Sequence, residues 1–222
     1  MQNGGPPIER TVVSIPAGEV VLPGDLSIPT AAHGIVLFAH GSGSSRHSPR
    51  NQYVAKVLNR NTLATLLVDL LTPPEERQDE VTAELRFDIP FLTRRLGAVA
   101  DQVSGLPRLR GLGLGLFGAS TGAAAALLTA AERPDLVKAV VSRGGRPDLA
   151  GPAIALVRAP TLLIVGGADR AVLKMNREAM PSMRCEIQLS VIPDSTHLLE
   201  EPGALEKAAK LAAGWFTTHL AA

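Results

Sequence analysis

The chain has 222 residues, a formal net charge of +1 and 45% hydrophobic residues. That length fits one α/β domain or two small ones, and the apolar fraction can build a sizeable core, which excludes an intrinsically disordered chain. The balanced charge argues against a nucleic-acid-binding protein that relies on bulk positive charge. The single cysteine, Cys185, excludes an intramolecular disulfide and leaves too few thiolates for a zinc or iron–sulfur cage, and it is expected to be a small buried hydrophobic residue.

The ends of the chain and its compartment are predicted from composition. The first seven residues have neither a basic segment nor an apolar segment, and no later run approaches the roughly 18 apolar residues of a membrane span. We therefore expect a cytoplasmic protein without membrane contact. No repeat or long linker interrupts the chain, so we expect one domain over residues 1–222, with residues 1–8 as a flexible tail. No aromatic patch marks an interface, and both a monomer and a homodimer remain open.

The predicted strands begin with an antiparallel hairpin at a sheet edge, formed by residues 10–14 and 19–22 around Pro16-Ala17-Gly18. Four later segments are short and continuously apolar, as expected of strands that are covered on both faces, and two more can be added. These six segments are residues 35–39, 65–68, 112–117, 137–141, 161–165 and 186–192.

Helical stretches lie between the strands, at about residues 51–60, 80–104, 120–132, 170–180 and 203–219. The alternation of strand and helix predicts an α/β fold, a mostly parallel sheet with helices on both faces. Ligands of such sheets bind at the carboxyl ends of the strands, so the residues that follow each strand are the candidates for chemistry.

The most informative of these segments is Gly118-Ala119-Ser120-Thr121-Gly122, which follows the strand 112–117 and precedes a helix. Gly-x-Ser-x-Gly in this context is typical of a catalytic serine on a turn too tight for flanking side chains. The alternative is a turn of small residues packed for steric reasons. We predict that Ser120 is a nucleophile and that the Thr121 amide, at the start of the helix, is one oxyanion donor.

An overlapping pattern, Gly113-Leu114-Gly115-Leu116-Phe117-Gly118, matches the dinucleotide-binding fingerprint Gly-x-Gly-x-x-Gly. That fingerprint must follow a strand and open a helix, whereas here it is the strand itself. No acidic residue ends the next strand, which leads into Ser142-Arg143. We therefore expect no nicotinamide or flavin cofactor.

A serine hydroxyl needs a neighbouring base, and the base needs a third group that orients it. His197 lies in the loop between the last predicted strand and the last predicted helix, where a hydrolase of this architecture places its base. His33 and His219 are expected to be surface groups.

The predicted orienting acid is Asp169, which follows the strand 161–165 after two glycines that permit a sharp turn. Asp194, three residues before His197, is the competing candidate and otherwise a turn-forming residue. The order serine, acid, histidine is that of the α/β-hydrolases.

A second oxyanion donor is expected from the loop after the strand 35–39, which reads His40-Gly41-Ser42-Gly43-Ser44-Ser45. We predict that the Ser42 amide is this donor and that His40 braces the loop without transferring protons. A phosphate-binding loop is disfavoured because the segment has no Gly-Lys-Ser/Thr ending.

Taken together, five segments resemble the dienelactone-hydrolase branch of the α/β-hydrolases, and more narrowly a bacterial subgroup often encoded beside or fused to phosphoribosyltransferase domains. The segments are residues 40–45, 69–72, 117–125, 141–148 and 196–203. The resemblance implies an eight-stranded α/β-hydrolase core without a large lid, and hydrolysis of small esters or lactones without a metal or organic cofactor.

The chain departs from this family at the nucleophile, because dienelactone hydrolases use cysteine and position 120 is serine. The departure favours a general serine carboxylesterase, and some relatives also cleave activated phosphotriesters. The family holds a substrate carboxylate with arginines, which makes Arg46, Arg77 and Arg143 candidate substrate-binding residues. The same triad could instead transfer an acyl group to an alcohol or amine, and a non-catalytic binding or regulatory module is a third possibility.

Overall fold

The structure is a computed structural model that describes residues 5–221. Eight strands form one sheet in the order β1-β2-β4-β3-β5-β6-β7-β8. The pairs β1–β2 and β2–β4 are antiparallel and the other pairs are parallel, which confirms the predicted sheet and its N-terminal hairpin. The strands are β1 (Ile8–Ala17), β2 (Val20–Pro29), β3 (Gly34–Ala39), β4 (Leu63–Val68), β5 (Gly113–Ala119), β6 (Val137–Arg143), β7 (Thr161–Gly166) and β8 (Ile187–Ile192).

Six α-helices cover the sheet. They are α1 (Pro49–Arg60), α2 (Pro73–Thr82), α3 (Ile89–Gly105), α4 (Thr121–Glu132), α5 (Arg170–Ala179) and α6 (Ala204–Leu220). The helices α1 and α6 pack against one face, and α3 and α4 pack against the other, so the core has two apolar layers separated by the sheet. Within residues 5–221, none of the helices combines the length and apolar character that a membrane-spanning segment needs.

The hairpin is longer than predicted, and its turn lies further along the chain. Ala17 pairs with Val20, so the connection is Gly18-Glu19, with Gly18 at a φ of 71°. Pro16 therefore belongs to β1, which is possible because an edge strand tolerates a residue without a backbone donor. The expected tail over residues 1–8 lies outside the described residues up to residue 4, and Ile8 already belongs to β1.

The prediction of a single helix over residues 80–104 is wrong. The helix α2 begins earlier, at a capping box in which Thr72 and Glu75 bond to each other's backbone amides, and it ends before Ala83, whose φ is 56°. A new helix, α3, is capped by Asp88 and carries Pro90 in its first turn. Proline is compatible with a first turn but not with the middle of a continuous helix, so Pro90 requires this break.

Candidate active site

Ser120 occupies a sharp turn between β5 and α4, with φ 51° and ψ −120°. This is a left-handed conformation that a residue with a side chain rarely adopts, and surrounding bonds must hold it. The Ser120 amide donates to the Arg143 carbonyl at 3.2 Å, and the Ser120 carbonyl accepts from the amides of Ala123 at 3.1 Å and Arg146 at 3.3 Å. The side chain thus stands at the carboxyl edge of the sheet, as predicted.

The glycines around Ser120 have the steric role that the sequence predicts. A Cβ on Gly118 would clash with the backbone of Ala123, and one on Gly122 would clash with the carbonyl oxygens of Ala39 and His40. The next loop is equally close, because a Cβ on Gly41 would lie 3.1 Å from the Cβ of Ser120. The turn and α4 can therefore pack this closely only with glycine at positions 118 and 122, and Gly41 brings the loop after β3 close to Ser120.

His197 and Asp169 are in direct contact. The Nδ1 of His197 lies 2.7 Å from Oδ2 of Asp169, and Oδ1 of Asp169 caps α5 by accepting from the Val172 amide at 3.4 Å. The carboxylate is well buried, with 13% of its side chain exposed, whereas 39% of the imidazole is exposed. Asp194, the competing candidate, is an exposed turn residue with a φ of 56°. The structure therefore pairs His197 with Asp169.

The chain turns sharply after β7, as predicted, because the Asp169 amide donates to the Gly166 carbonyl at 3.1 Å, although neither Gly166 nor Gly167 adopts a positive φ. A Cβ on Gly166 would clash with the carbonyl oxygen of Ser195, in the loop that carries His197. The Gly167 amide donates to the Ile192 carbonyl at 2.7 Å, and the Ala168 amide donates to the Ser195 carbonyl at 2.9 Å. The glycines thus let the histidine loop lie against the strand that delivers the acid.

A further contact that the sequence analysis missed fixes this loop. Oε1 of Glu201 accepts from the amide of Thr196 at 2.9 Å and from its hydroxyl at 2.6 Å. On the other side of the loop, a Cβ on Gly144 would lie 3.3 Å from Cε1 of His197. The imidazole is therefore oriented by Asp169, its loop is fixed by the hydrogen bonds between Thr196 and Glu201, and Gly144 leaves room for the ring. An acidic residue shortly after the Thr-His pair is a weak signal that could have suggested these hydrogen bonds.

Within residues 5–221, the Ser120 hydroxyl makes no hydrogen bond in this structure, and none joins it to His197. Such nucleophile–base bonds are often long without substrate and shorten when substrate binds. The site thus contains a serine on a tight turn and a histidine oriented by a buried carboxylate, which are the parts that acyl transfer to a serine requires.

The loop after β3 brings together the two residues predicted to supply oxyanion donors. The Ser42 amide donates to Oγ1 of Thr121 at 3.0 Å. The sequence analysis predicts that the Ser42 amide is free to bind the oxyanion. In this structure, however, its N–H already donates to Thr121.

His40 braces this loop, as predicted. Its Nε2 accepts from the Leu70 amide at 3.0 Å, so the proton lies on Nδ1, which donates to the Gly41 carbonyl at 3.0 Å. Burial lowers the pKa of His40 below its ordinary value, although the Gly41 carbonyl and the nearby Asp69 and Glu76 carboxylates act in the opposite direction. His40 is therefore held in its neutral form between two backbone groups.

Two of the three arginines predicted to bind substrate are not free in the site. The Arg46 guanidinium pairs with Asp69 and lies 3.6 Å from Asp25, so existing carboxylates already neutralise it. Arg77 is exposed on α2, and it does not line the cavity beside the oxyanion loop. That cavity, of about 220 Å³, is bordered by the loop 40–45 and by carboxylates of α2, among them Glu76 and Glu80.

Arg143, the third candidate, ends β6 next to the nucleophile turn and is only 7% exposed. Among residues 5–221, no carboxylate lies within ion-pairing distance of its guanidinium, and its buried Nε has no hydrogen-bond partner. Burial lowers the pKa of Arg143 to about 10, and the nearby positive charge of Arg50 adds to this effect. A buried cation without a partner is costly, so this position favours an anion.

Cys185 lies at the other edge of the sheet. Its Sγ is 3.7 Å from Oγ1 of Thr161, at the amino end of β7, and the residue is half-buried. Burial raises the pKa of the thiol above its ordinary value, so it is a poor nucleophile. Over the described part of the chain, no group of three or more histidine, cysteine or acidic residues is arranged to hold a metal ion.

Comparison with solved structures places this geometry in a family. The crystal structure of a dienelactone hydrolase from Anabaena variabilis is 55% identical in sequence to this chain and superposes with a TM-score of 0.95. The match covers 96% of this chain and 99% of the Anabaena chain. The chain belongs to the dienelactone hydrolase-like family of α/β-hydrolases. A dienelactone hydrolase-like promiscuous phosphotriesterase from metagenomic libraries is 15% identical and covers 97% of this chain and 99% of that chain, with a TM-score of 0.78, a likeness of fold.

Two curated proteins that are similar in sequence to this chain are named as phosphoribosyl transferases rather than hydrolases. Proteins from two strains of Mycobacterium tuberculosis, provisionally named phosphoribosyl transferases, are 53% identical over 215 residues and cover 97% of this chain. The chain spans about half of their length, 48%. No protein-family model matches the chain.

Proposed function

We propose that the chain is a serine hydrolase that cleaves small carboxylic esters or lactones through an acyl-enzyme on Ser120. The observation that carries the proposal is the 2.7 Å contact between Asp169 and His197, on the edge of the sheet where Ser120 occupies its tight turn. Membership of a hydrolase family supports it.

The proposed reaction has two steps, acylation of Ser120 and deacylation by water. Nε2 of neutral His197 takes the Ser120 proton as the oxygen attacks the carbonyl carbon, and the imidazolium returns that proton to the leaving alkoxide, which departs as an alcohol or opens the lactone. Water then attacks the acyl-enzyme, gives one proton to His197, and releases the acid as Ser120 regains a proton. Asp169 keeps the Nδ1 proton in place and stabilises the imidazolium in both steps.

The Thr121 amide, at the start of α4, is proposed as one oxyanion donor, because it follows the nucleophile and lies at the positive end of a helix. Arg143 is proposed to bind an anionic group of the substrate, since its buried guanidinium has no carboxylate partner among the described residues. On this view, Arg143→Gln reduces the preference for a 4-nitrophenyl hemisuccinate over the neutral butyrate, whereas Arg146→Gln, at an arginine paired with Asp148, does not.

The test combines turnover with covalent labelling. Wild type is expected to hydrolyse 4-nitrophenyl acetate and butyrate and to gain one fluorophosphonate adduct by intact mass. Ser120→Ala is expected to lose the adduct and about 10⁴-fold or more in rate while remaining folded. Ser104→Ala, at an exposed serine on α3, is the matched control. Retained turnover in Ser120→Ala, or a folded wild type without turnover or adduct, would contradict the proposal.

A further inference from the structure

The Thr121 side chain connects the nucleophile turn with the loop after β3. Thr121 follows Ser120 directly, is only 3% exposed, and its Oγ1 accepts the Ser42 amide proton at 3.0 Å. A backbone amide has a single proton, so the Ser42 amide cannot make a full hydrogen bond to a substrate oxygen while it donates to Thr121. In this structure, the loop after β3 therefore contacts the residue that follows the nucleophile through the Thr121 hydroxyl.

The Thr121 hydroxyl also has a proton of its own. A threonine hydroxyl can accept and donate at once, yet over residues 5–221 the Thr121 hydroxyl only accepts. A buried donor without an acceptor costs free energy, so this proton is available to an acceptor that arrives with the substrate. The oxygen of the attacked carbonyl is such an acceptor, and it gains negative charge as the reaction proceeds.

We propose that the Thr121 hydroxyl is the second oxyanion donor of the site. The Ser42 N–H donates to Thr121 Oγ1, and the Thr121 O–H donates to the oxygen of the tetrahedral intermediate. No proton is transferred in either hydrogen bond, and each bond strengthens the other by polarising the Thr121 hydroxyl. The proposal rests on the proposed hydrolase function, because the oxyanion exists only if Ser120 attacks a carbonyl.

The same contact also positions the loop. The Ser42–Thr121 bond joins the loop after β3 to the first turn of α4, and Gly41 lies against Ser120 beside it. An alternative role for the hydroxyl is to cover the Ser42 amide until substrate displaces it. The two roles give opposite results when the hydroxyl is removed, since an amide relieved of its cover would be free to bind the oxyanion directly.

The experiment compares Thr121→Val, which keeps the shape and removes the hydroxyl, with Thr121→Ser, which keeps the hydroxyl. Thr121→Val is expected to lower kcat for 4-nitrophenyl butyrate by about 10²- to 10³-fold with little change in KM, as for the loss of one oxyanion donor. Thr121→Ser is expected to recover most of this loss. Thr129→Val is the matched control, because Thr129 is a fully buried threonine of α4 whose hydroxyl has no partner.

A second readout separates a donor from a merely structural group. Affinity for a boronic acid, which forms a tetrahedral adduct on the serine, is expected to fall with kcat in Thr121→Val, whereas affinity for the planar product butyrate stays unchanged. If Thr121→Val does not fold, Thr121→Ala gives the same comparison. Unchanged or faster turnover in a folded Thr121→Val or Thr121→Ala overturns the proposal. A wild type without Ser120-dependent turnover overturns the proposed function instead, and this inference with it.

Discussion

Asp169 serves two neighbours with its two carboxylate oxygens. One oxygen accepts from His197 and the other caps the first turn of α5 at Val172. The first contact selects the imidazole tautomer whose free nitrogen can take a proton, and the second holds the carboxylate in place. A single residue thus links the start of a helix to the orientation and tautomer of the proposed base.

Replacement of Asp169 by asparagine is expected to separate these two roles. Asparagine also caps helices well, so the free energy of unfolding should change little. Its amide would favour the wrong tautomer of His197, and kcat should fall by roughly 10⁴-fold, as in serine proteases with this change. Asp194→Asn is the control, since Asp194 is exposed in the same region. Steady-state kinetics would refute the assignment if Asp194→Asn lost activity and Asp169→Asn did not.

At the scale of elements, α4 lies unusually close to the end of β3. Its residues 123–126 are all alanine and fully buried, and Gly122 faces the carbonyl oxygens of Ala39 and His40 without room for a Cβ. This proximity lets the loop after β3 reach the nucleophile turn. The small residues of the helix are therefore part of the construction of the site.

A methyl group at Gly122 is expected to push α4 away from β3. Gly122→Ala should lower the free energy of unfolding by about 1–3 kcal/mol, the usual cost of overpacking, and should reduce activity by displacing Ser120. Gly214→Ala, within α6, is the control because nothing lies within 4 Å of its added Cβ. There alanine should stabilise the helix by up to about 1 kcal/mol. Urea unfolding of both variants checks the contrast, and equal stabilities would disprove the packing argument.

Elements and site residues differ in how far the sequence determines them. The buried strands and the positions of Ser120, Asp169 and His197 follow from apolar runs and the residues after them, and the structure pairs the last two. Pro90 is a local signal for a helix start, and the predicted helix over residues 80–104 does not take it into account. The Ser42–Thr121 contact joins two loops that are distant in sequence, so no local pattern predicts it. The Thr196–Glu201 contact forms because its loop turns back on itself, and the sequence does not predict that conformation.

For the molecule as a whole, the single sheet brings the loops after β3, β5, β6, β7 and β8 to one edge. Charged side chains of both signs lie along that edge. Carboxylates of α2 and Arg86 border the cavity on the side of the oxyanion loop, and the buried Arg143 at the end of β6 has no carboxylate partner among the described residues. The proposed preference for an anionic ester therefore rests on Arg143 rather than on the net charge of the edge.

Global stability should depend on pH through His40. Burial lowers its pKa in the folded state, so below the ordinary value of 6.5 the unfolded chain binds a proton that the folded chain does not. Its contribution to stability is therefore present above pH 6.5 and is lost as the pH falls from there through the folded pKa. The slope from one such proton is at most about 1.4 kcal/mol per pH unit.

Chemical denaturation between pH 7.5 and 5 checks this expectation. His40→Gln should be less stable at pH 7.5, because its amide cannot reproduce both backbone contacts, but its stability should fall less steeply with acidification. His47→Gln, at an exposed histidine of the same loop, should keep the wild-type slope. An unchanged slope in His40→Gln would show that His40 is not the titrating group.

The backbone of Ser120 has a consequence for how this sequence can vary. At a φ of 51° and ψ of −120°, any residue with a Cβ carries strain that glycine would not. The residue that would make this turn most stable is therefore one that could not attack a carbonyl. If Ser120 is the nucleophile, as proposed, the chain therefore keeps at this position a side chain that costs it folding stability.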